Sequence, residues 1–353
     1  MNHSAPRTIR FALARTCLVA LSMIFIHTPL YADHDDTDFG SMSLDELLEM
    51  EISRREPMGI HHTHKKGEFM FSISHMHMSM SGNRDGSNEL STAEVHADFT
   101  VAPTDMNTDM LMLGAMYAPS DSLTFMVMLP YLDKSMDLVT RMDIEFSTRA
   151  KGLGDLSVSA LKTVWHDDNA KLHIELGFNA PTGSIDRKDD TPVGYMRLPY
   201  PMQLGSGTWD LKLGATYQAI HDKLSYGLSA TGIFRTGEND NDYRLGHQQS
   251  ITGFVSYLIN DSFSAHVRLD GYHMSDISGA DPQLNPMMVP TARSDLSGGN
   301  RLTSGVGINF FAETGFFADQ RFSMELTAPI VQNLHGPQMG SDWMLRTSWS
   351  WVH

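Results

Sequence analysis

From Glu68 onward the apolar positions of the chain recur every second residue. That is the period of a β-strand with one apolar face. In "MLMLGAMYA", Leu111, Leu113, Ala115 and Tyr117 share one face, and Met110, Met112, Gly114 and Met116 the other. After "PSDS", the run "LTFMVMLPY" sets Leu123, Phe125, Val127, Leu129 and Tyr131 against Thr124, Met126, Met128 and Pro130. Two such segments around a short turn predict a β-hairpin. The alternation returns in "KLHIELGFNA", "TWDLKLGATYQA", "LSYGLSATGIF", "FSAHVRLDGY", "RFSMELTAPI" and "WMLRTSWSW". Opposite their apolar faces stand His173, Glu175, Asp210, Lys212, His266, Arg268, Asp270, Glu325 and Arg346.

The connections also alternate. Short ones are "PSDS", "HDDNA", "HDK", "INDS" and "TGFFADQ"; long polar ones fall near 81–106, 133–152, 184–207, 238–248 and 276–300. This predicts an all-β, antiparallel outer-membrane barrel over 67–353, with about twelve strands. Its short turns are periplasmic and its long loops extracellular. Tyr117, Tyr131, Trp165, Tyr217, Tyr257 and the C-terminal tryptophans fall near strand ends, where interfacial girdles sit. A soluble β-sandwich also alternates, but the ten-residue strands and alternating loop lengths favour the barrel.

The region before the barrel reads differently. Residues 1–32 have Arg7, Arg10 and Arg15, an apolar run from Cys17 to Ile26, and small residues near Ala32. That is the layout of a secretory signal peptide, and the run is short for a transmembrane helix. Residues 33–66 form an acidic, then His-rich periplasmic leader. "SLDELLEME" predicts a short helix, with Ser43 and Glu46 spaced as a capping box. "GIHHTHKKGE" follows, and a partial plug of the lumen is one place for it.

Composition narrows the function. The single cysteine is Cys17, so the mature chain has no disulfide and a closed hydrogen-bonded wall must hold it. Formal net charge is −16, and loss of the three leader arginines with no acid takes it to −19. Such acidity disfavours a nucleic-acid partner. The expected partners are the bilayer of the Gram-negative outer membrane and a small-molecule solute.

"KGLGDLSVSAL", "NAPTGSID", "LPYPMQLGSGTWDLKLGATY" and "ENDNDYRLG" together resemble the outer-membrane transporter family named for the meta-pathway of phenol degradation. The chain looks like a Met-rich subgroup of it. The resemblance runs from about residue 67 to 353 and implies a porin-like barrel associated with aromatic compounds. One departure is the C-terminus, "WSWVH", where such chains usually end in Phe or Trp.

Candidate chemistry starts with the 25 methionines. With the apolar faces toward lipid, Met110, Met112, Met116, Met126 and Met128 line the lumen together with the polar and charged set above. Thioethers suit Cu(I) or Ag(I), and equally offer adaptable apolar surface. A second metal candidate is His61, His62 and His64 with Met76, Met78 and Met80. On the first strand, however, Met70, Met76, Met78 and Met80 share a face while His75 and His77 fall on the lipid face. Those two histidines fit only at the headgroup boundary or beside a bulge. "ENDNDY" is acidic enough for Ca²⁺ but lacks EF-hand spacing. No G-x-S-x-G, H-x-S-N-G or H-E-x-x-H occurs, so no enzyme is expected. No cofactor is called for, copper being the one candidate. The expected function is a channel or transporter for small solutes, with soft-metal handling as the alternative.

Overall fold

The computed structural model describes Ile52, 54–312 and 314–353. The signal peptide, the helix expected from Ser43 and most of the acidic leader lie outside these residues. Eleven strands form the wall: β1 (Phe69–Gly86), β2 (Val101–Ser120), β3 (Leu123–Thr140), β4 (Leu156–His166), β5 (Ala170–Ala180), β6 (Asp210–His221), β7 (Leu224–Arg235), β8 (Gln248–Asn260), β9 (Phe263–Met274), β10 (Gly299–Ala312) and β11 (Gln320–Val352). Each pairs with its chain neighbour, and β11 pairs back onto β1 to close the sheet.

Every pairing is antiparallel, and an antiparallel ring needs an even number of passes. β11, at 33 residues, supplies the twelfth by turning back on itself. Residues 320–334 pair with β10, and 334–352 pair with β1. Across the fold, Gln332 and Ser341 exchange hydrogen bonds of 2.8 and 3.0 Å, and Trp349 Nε1 donates to Gln320 Oε1 at 2.8 Å. The barrel therefore has twelve passes, and Phe69 and His353 exchange backbone hydrogen bonds at the seam.

Outward side chains are apolar along the middle of each strand: Leu111 and Leu113, Phe125 and Val127, Ile174 and Leu176, Leu211 and Leu213. Aromatic rings bound this belt. Trp165 stacks near Tyr217 at one end, and Phe178 near Trp209 at the other. Inward positions are polar or methionine, with Ser159, Thr216, Ser229, Thr252 and Ser256 all buried. The core of the molecule is thus its lumen, and lipid covers the apolar face.

Two expected loops are mostly strand. β1 and β2 continue to Gly86 and back from Val101, with only a short strand (Asn88–Leu90) and helix α1 (Thr92–Asp98) between them. β3 runs to Thr140 and returns as Glu145–Leu153, which pairs with its upper half. The regions near 81–106 and 133–152 read as loops because the outward positions turn polar, as at Asp105, Asn107 and Asp109. Above the membrane that face meets water, while the backbone ladder persists.

His75 and His77 do face outward. Both hydrogen-bond Asp109 Oδ1, at 3.1 and 3.0 Å, and His77 lies 5.2 Å from the Trp343 ring. Their strand positions are level with Leu111, Tyr131, Asp109 and Asp133. That is the upper boundary of the belt, where water can reach them.

Candidate functional site: a plugged, two-chambered lumen

The segment from Arg54 to Lys66 enters the barrel at the end carrying the termini and short turns. It is anchored around the ring. Ser264 Oγ donates to Arg54 O at 2.9 Å, Arg268 Nη1 to Met58 O at 2.7 Å, and Arg321 to Glu56 O. The His64 N–H donates to Thr124 Oγ1 at 2.8 Å, and Thr63 meets Thr163 at 3.1 Å. Backbone groups that would otherwise be orphaned are satisfied by strand side chains, as a buried non-regular segment requires.

Within the plug, His62 Nδ1 lies 2.7 Å from Glu56 Oε2, and the His62 and His64 rings are 4.5 Å apart. Burial acts to raise the Glu56 carboxyl, but His62 and Arg321 outweigh it and hold the group below its ordinary value. Burial, helped by His62, holds the His64 imidazole below its ordinary value.

Above the plug lies an inner cavity of about 510 Å³. One wall is methionine: Met70, Met76, Met110, Met112, Met128 and Met344 line it. Met76 faces Met110 directly across the β1–β2 ladder. Nearer the termini Met116 and Met126 pack with Leu161 into a small core. Met126 is 1% exposed and fills space there. Of the two, Met126 is withdrawn from the cavity, whereas Met116 packs in that core and still lines the cavity, with Met70 and Met128 resting against the core.

The charged set begins beside the methionine wall, Arg346 standing next to Met76 across the β1–β11 ladder. Glu325, fully buried, receives His266 at 3.0 Å, Arg346 at 3.1 Å and Arg268 at 3.3 Å. Arg268 Nε also donates to Asp270 at 2.9 Å. Lys212 pairs with Glu175 at 2.6 Å, Asp210 with Arg235, and His173 is buried beside them. The network needs room. A Cβ on Gly307 would stand 2.4 Å from the His266 ring, and one on Gly305 3.0 Å from Arg268 Cγ. These glycines also weaken the alternation of β10, and they conceal Arg301 on the same inward face.

An outer cavity of about 480 Å³ lies beneath the long loops, lined by Met78, Met80, Tyr200, Leu204 and Met274 among others. The Gly-rich motifs form its clasp. Asp155 of "GLGD" accepts the Gly183 N–H at 2.9 Å and the Ser206 N–H at 2.7 Å. Gly183 and Gly205 touch so closely that a Cβ on Gly183 would lie 2.7 Å from the other's Cα. Thr208 Oγ1 then donates to Asp210 at 2.6 Å. The connection over 181–209 is thereby folded inward over the lumen.

The clasp draws on every motif that carried the family resemblance, Asn239 of "ENDNDY" donating to Ser206 O at 2.9 Å, and a family model described as "Putative MetA-pathway of phenol degradation" matches residues 91–329. The chain belongs to this family. A search of curated proteins found no significant match. Among solved structures, an outer membrane channel from Pseudomonas putida F1 aligns with a TM-score of 0.58 at 17% identity, over 84% of this chain and 99% of that one. A FadL homologue from Pseudomonas aeruginosa aligns at 0.42 and 10% identity, over 81% and 90%. The first likeness establishes the fold. With its closed wall and apolar belt, this family member is an outer-membrane β-barrel.

The sequence-derived metal set is split in this family member. His61, His62 and Met76 line the inner cavity, Met78 and Met80 the outer one, and His64 is buried toward Glu68. Among the described residues no group of three or more His, Cys, Asp or Glu is placed to hold a metal. The "ENDNDY" loop folds on itself, Asn239 Oδ1 accepting the Asn241 N–H at 3.0 Å. Sequence reading passed over Arg301, Arg321 and Glu56. Their inward parity was a usable signal on β10 and β11, whereas nothing local marks Glu56.

Proposed function

We propose that the chain is a channel or transporter for small, largely apolar solutes, with aromatic compounds the class suggested by its family. The observation that supports this best is the open methionine wall between the plug and the outer cavity. Thioethers conform to varied apolar shapes without demanding a polar partner, and a cavity of this size suits a small organic molecule. Proteoliposomes containing the mature protein should take up toluene or phenol faster than empty vesicles. A barrel that accelerates no solute tested, and passes no ions in a planar bilayer, would sink this reading.

A second reading is that the wall binds a soft metal such as Cu(I). Its support is that Met76, Met110 and Met112 share one cavity with His61 and His62, a ligand set suited to Cu(I). Anaerobic calorimetry with Cu(I) tests it. Equal affinity after Met76, Met110 and Met112 are all replaced by Leu would reject it.

A further inference from the structure

The lumen has the opposite charge to the chain. The sequence carries −16 overall, yet cations outnumber carboxylates on both cavity walls. The outer cavity presents Lys134, Arg235, Arg293 and Arg301 against Asp155 alone, and Asp155 is already engaged by two backbone N–H groups. The inner cavity presents Arg268, Arg301, Arg321 and Arg346 against Glu56 and Asp270.

Most of these cations are occupied. Arg235 pairs with Asp210, Arg293 with Asp295, Arg268 with Asp270 and Glu325, and Arg346 with Glu325. Lys134 donates to the Pro201 and Gln203 carbonyls, and Arg321 to Glu56 O and Asn309. Arg301 differs. Among the described residues it has no ion pair, and its Nε is buried with no hydrogen-bond partner. Its strand neighbours are Tyr272 and Gln332, neither of them a carboxylate. Arg301 also lines both cavities, so a solute moving from one to the other passes it.

We propose that Arg301 is the specificity-determining residue of the lumen, and that it binds the carboxylate of an amphipathic organic anion, an aromatic carboxylate, in transit. This deepens the channel reading and rests on it. A guanidinium stays charged at any physiological pH and grips a carboxylate through two parallel hydrogen bonds. Low-dielectric walls of one sign focus the field on entering anions. The apolar ring then lies against Met76, Met110 and Met112. A neutral aromatic would leave the guanidinium as it is now, without a partner.

The test uses the mature protein in planar bilayers, with benzoate and benzyl alcohol as charged and neutral probes. Wild type should be anion-selective by reversal potential in a KCl gradient. Benzoate should block the current at a concentration lower than benzyl alcohol by roughly tenfold or more, the factor a charge-assisted hydrogen bond supplies. Arg301→Gln should keep the conductance and lose both properties, while Arg301→Lys should keep the selectivity and lose most of the benzoate preference. Heat-modifiable migration on gels confirms that each variant is folded. Unchanged selectivity and block in Arg301→Gln would overturn the assignment while leaving the channel reading intact. A wild-type barrel that passes nothing would overturn both. Block by phenyl phosphate in place of benzoate would overturn the carboxylate assignment alone.

Discussion

Leu176 stands in the middle of the apolar belt and is 59% exposed on the outer face. In water that exposure would be a defect, while in lipid it is the favourable state. Leu176→Arg is therefore expected to destabilise the folded barrel by about 2–4 kcal/mol, the cost of a cation on the lipid face at mid-depth. Reversible unfolding in phospholipid vesicles would measure it, and a change near zero would place Leu176 outside the membrane. One strand step away Glu175 is buried against Lys212, so neighbours in sequence live in opposite solvents. Period two made this parity readable for most wall residues. It failed at Ile330 and Val331, which are both exposed because the β10–β11 register shifts there. A bulge of that kind leaves no local sequence mark.

The plug is the element whose placement carries most consequence. It holds His64 neutral, since burial depresses the imidazole from its ordinary value of 6.5. A released plug would take up the proton at that ordinary value. Docking is thus at full strength above about pH 6.5 and weakens as pH falls from there toward the depressed value. Conductance is expected to be larger at pH 5 than at pH 7.5, and His64→Gln should flatten the difference. Single-channel recording across this range is the check, and a pH-independent conductance in wild type would refute the coupling. The groups facing His64 are His62 and Glu68. Glu68 stays ionised through the window, its carboxyl also being held below its ordinary value despite the raising effect of burial.

At the scale of the whole molecule, closure decides everything else. An antiparallel ring with an odd number of passes cannot close, and the reversal within β11 resolves this. Removing residues 339–353 should leave β1 without its partner and expose two open edges. We expect that truncation to abolish heat-modifiable migration and to accumulate as protease-sensitive protein. A truncated chain that still migrates as a compact barrel would contradict the pairing of β1 with the C-terminal segment. Closure also creates the lumen, in which Met76, Glu325 and Glu56 meet although they lie far apart in the chain.

The sequence by itself determined the class of fold, because a two-residue period over ten-residue strands, joined by alternately short and long connections, fits a barrel standing between lipid and water better than a sandwich. It also marked the girdles and the motif segments of the family. Only the tertiary structure decided where Arg54 to Lys66 would lie, since a polar, irregular segment carries no periodic signal and is placed by hydrogen bonds from six strands. The same holds for the partnership of charges. Parity can send an arginine into the lumen, but whether a carboxylate waits there depends on strands brought together by closure. Among the described residues, Arg268 finds two and Arg301 finds none.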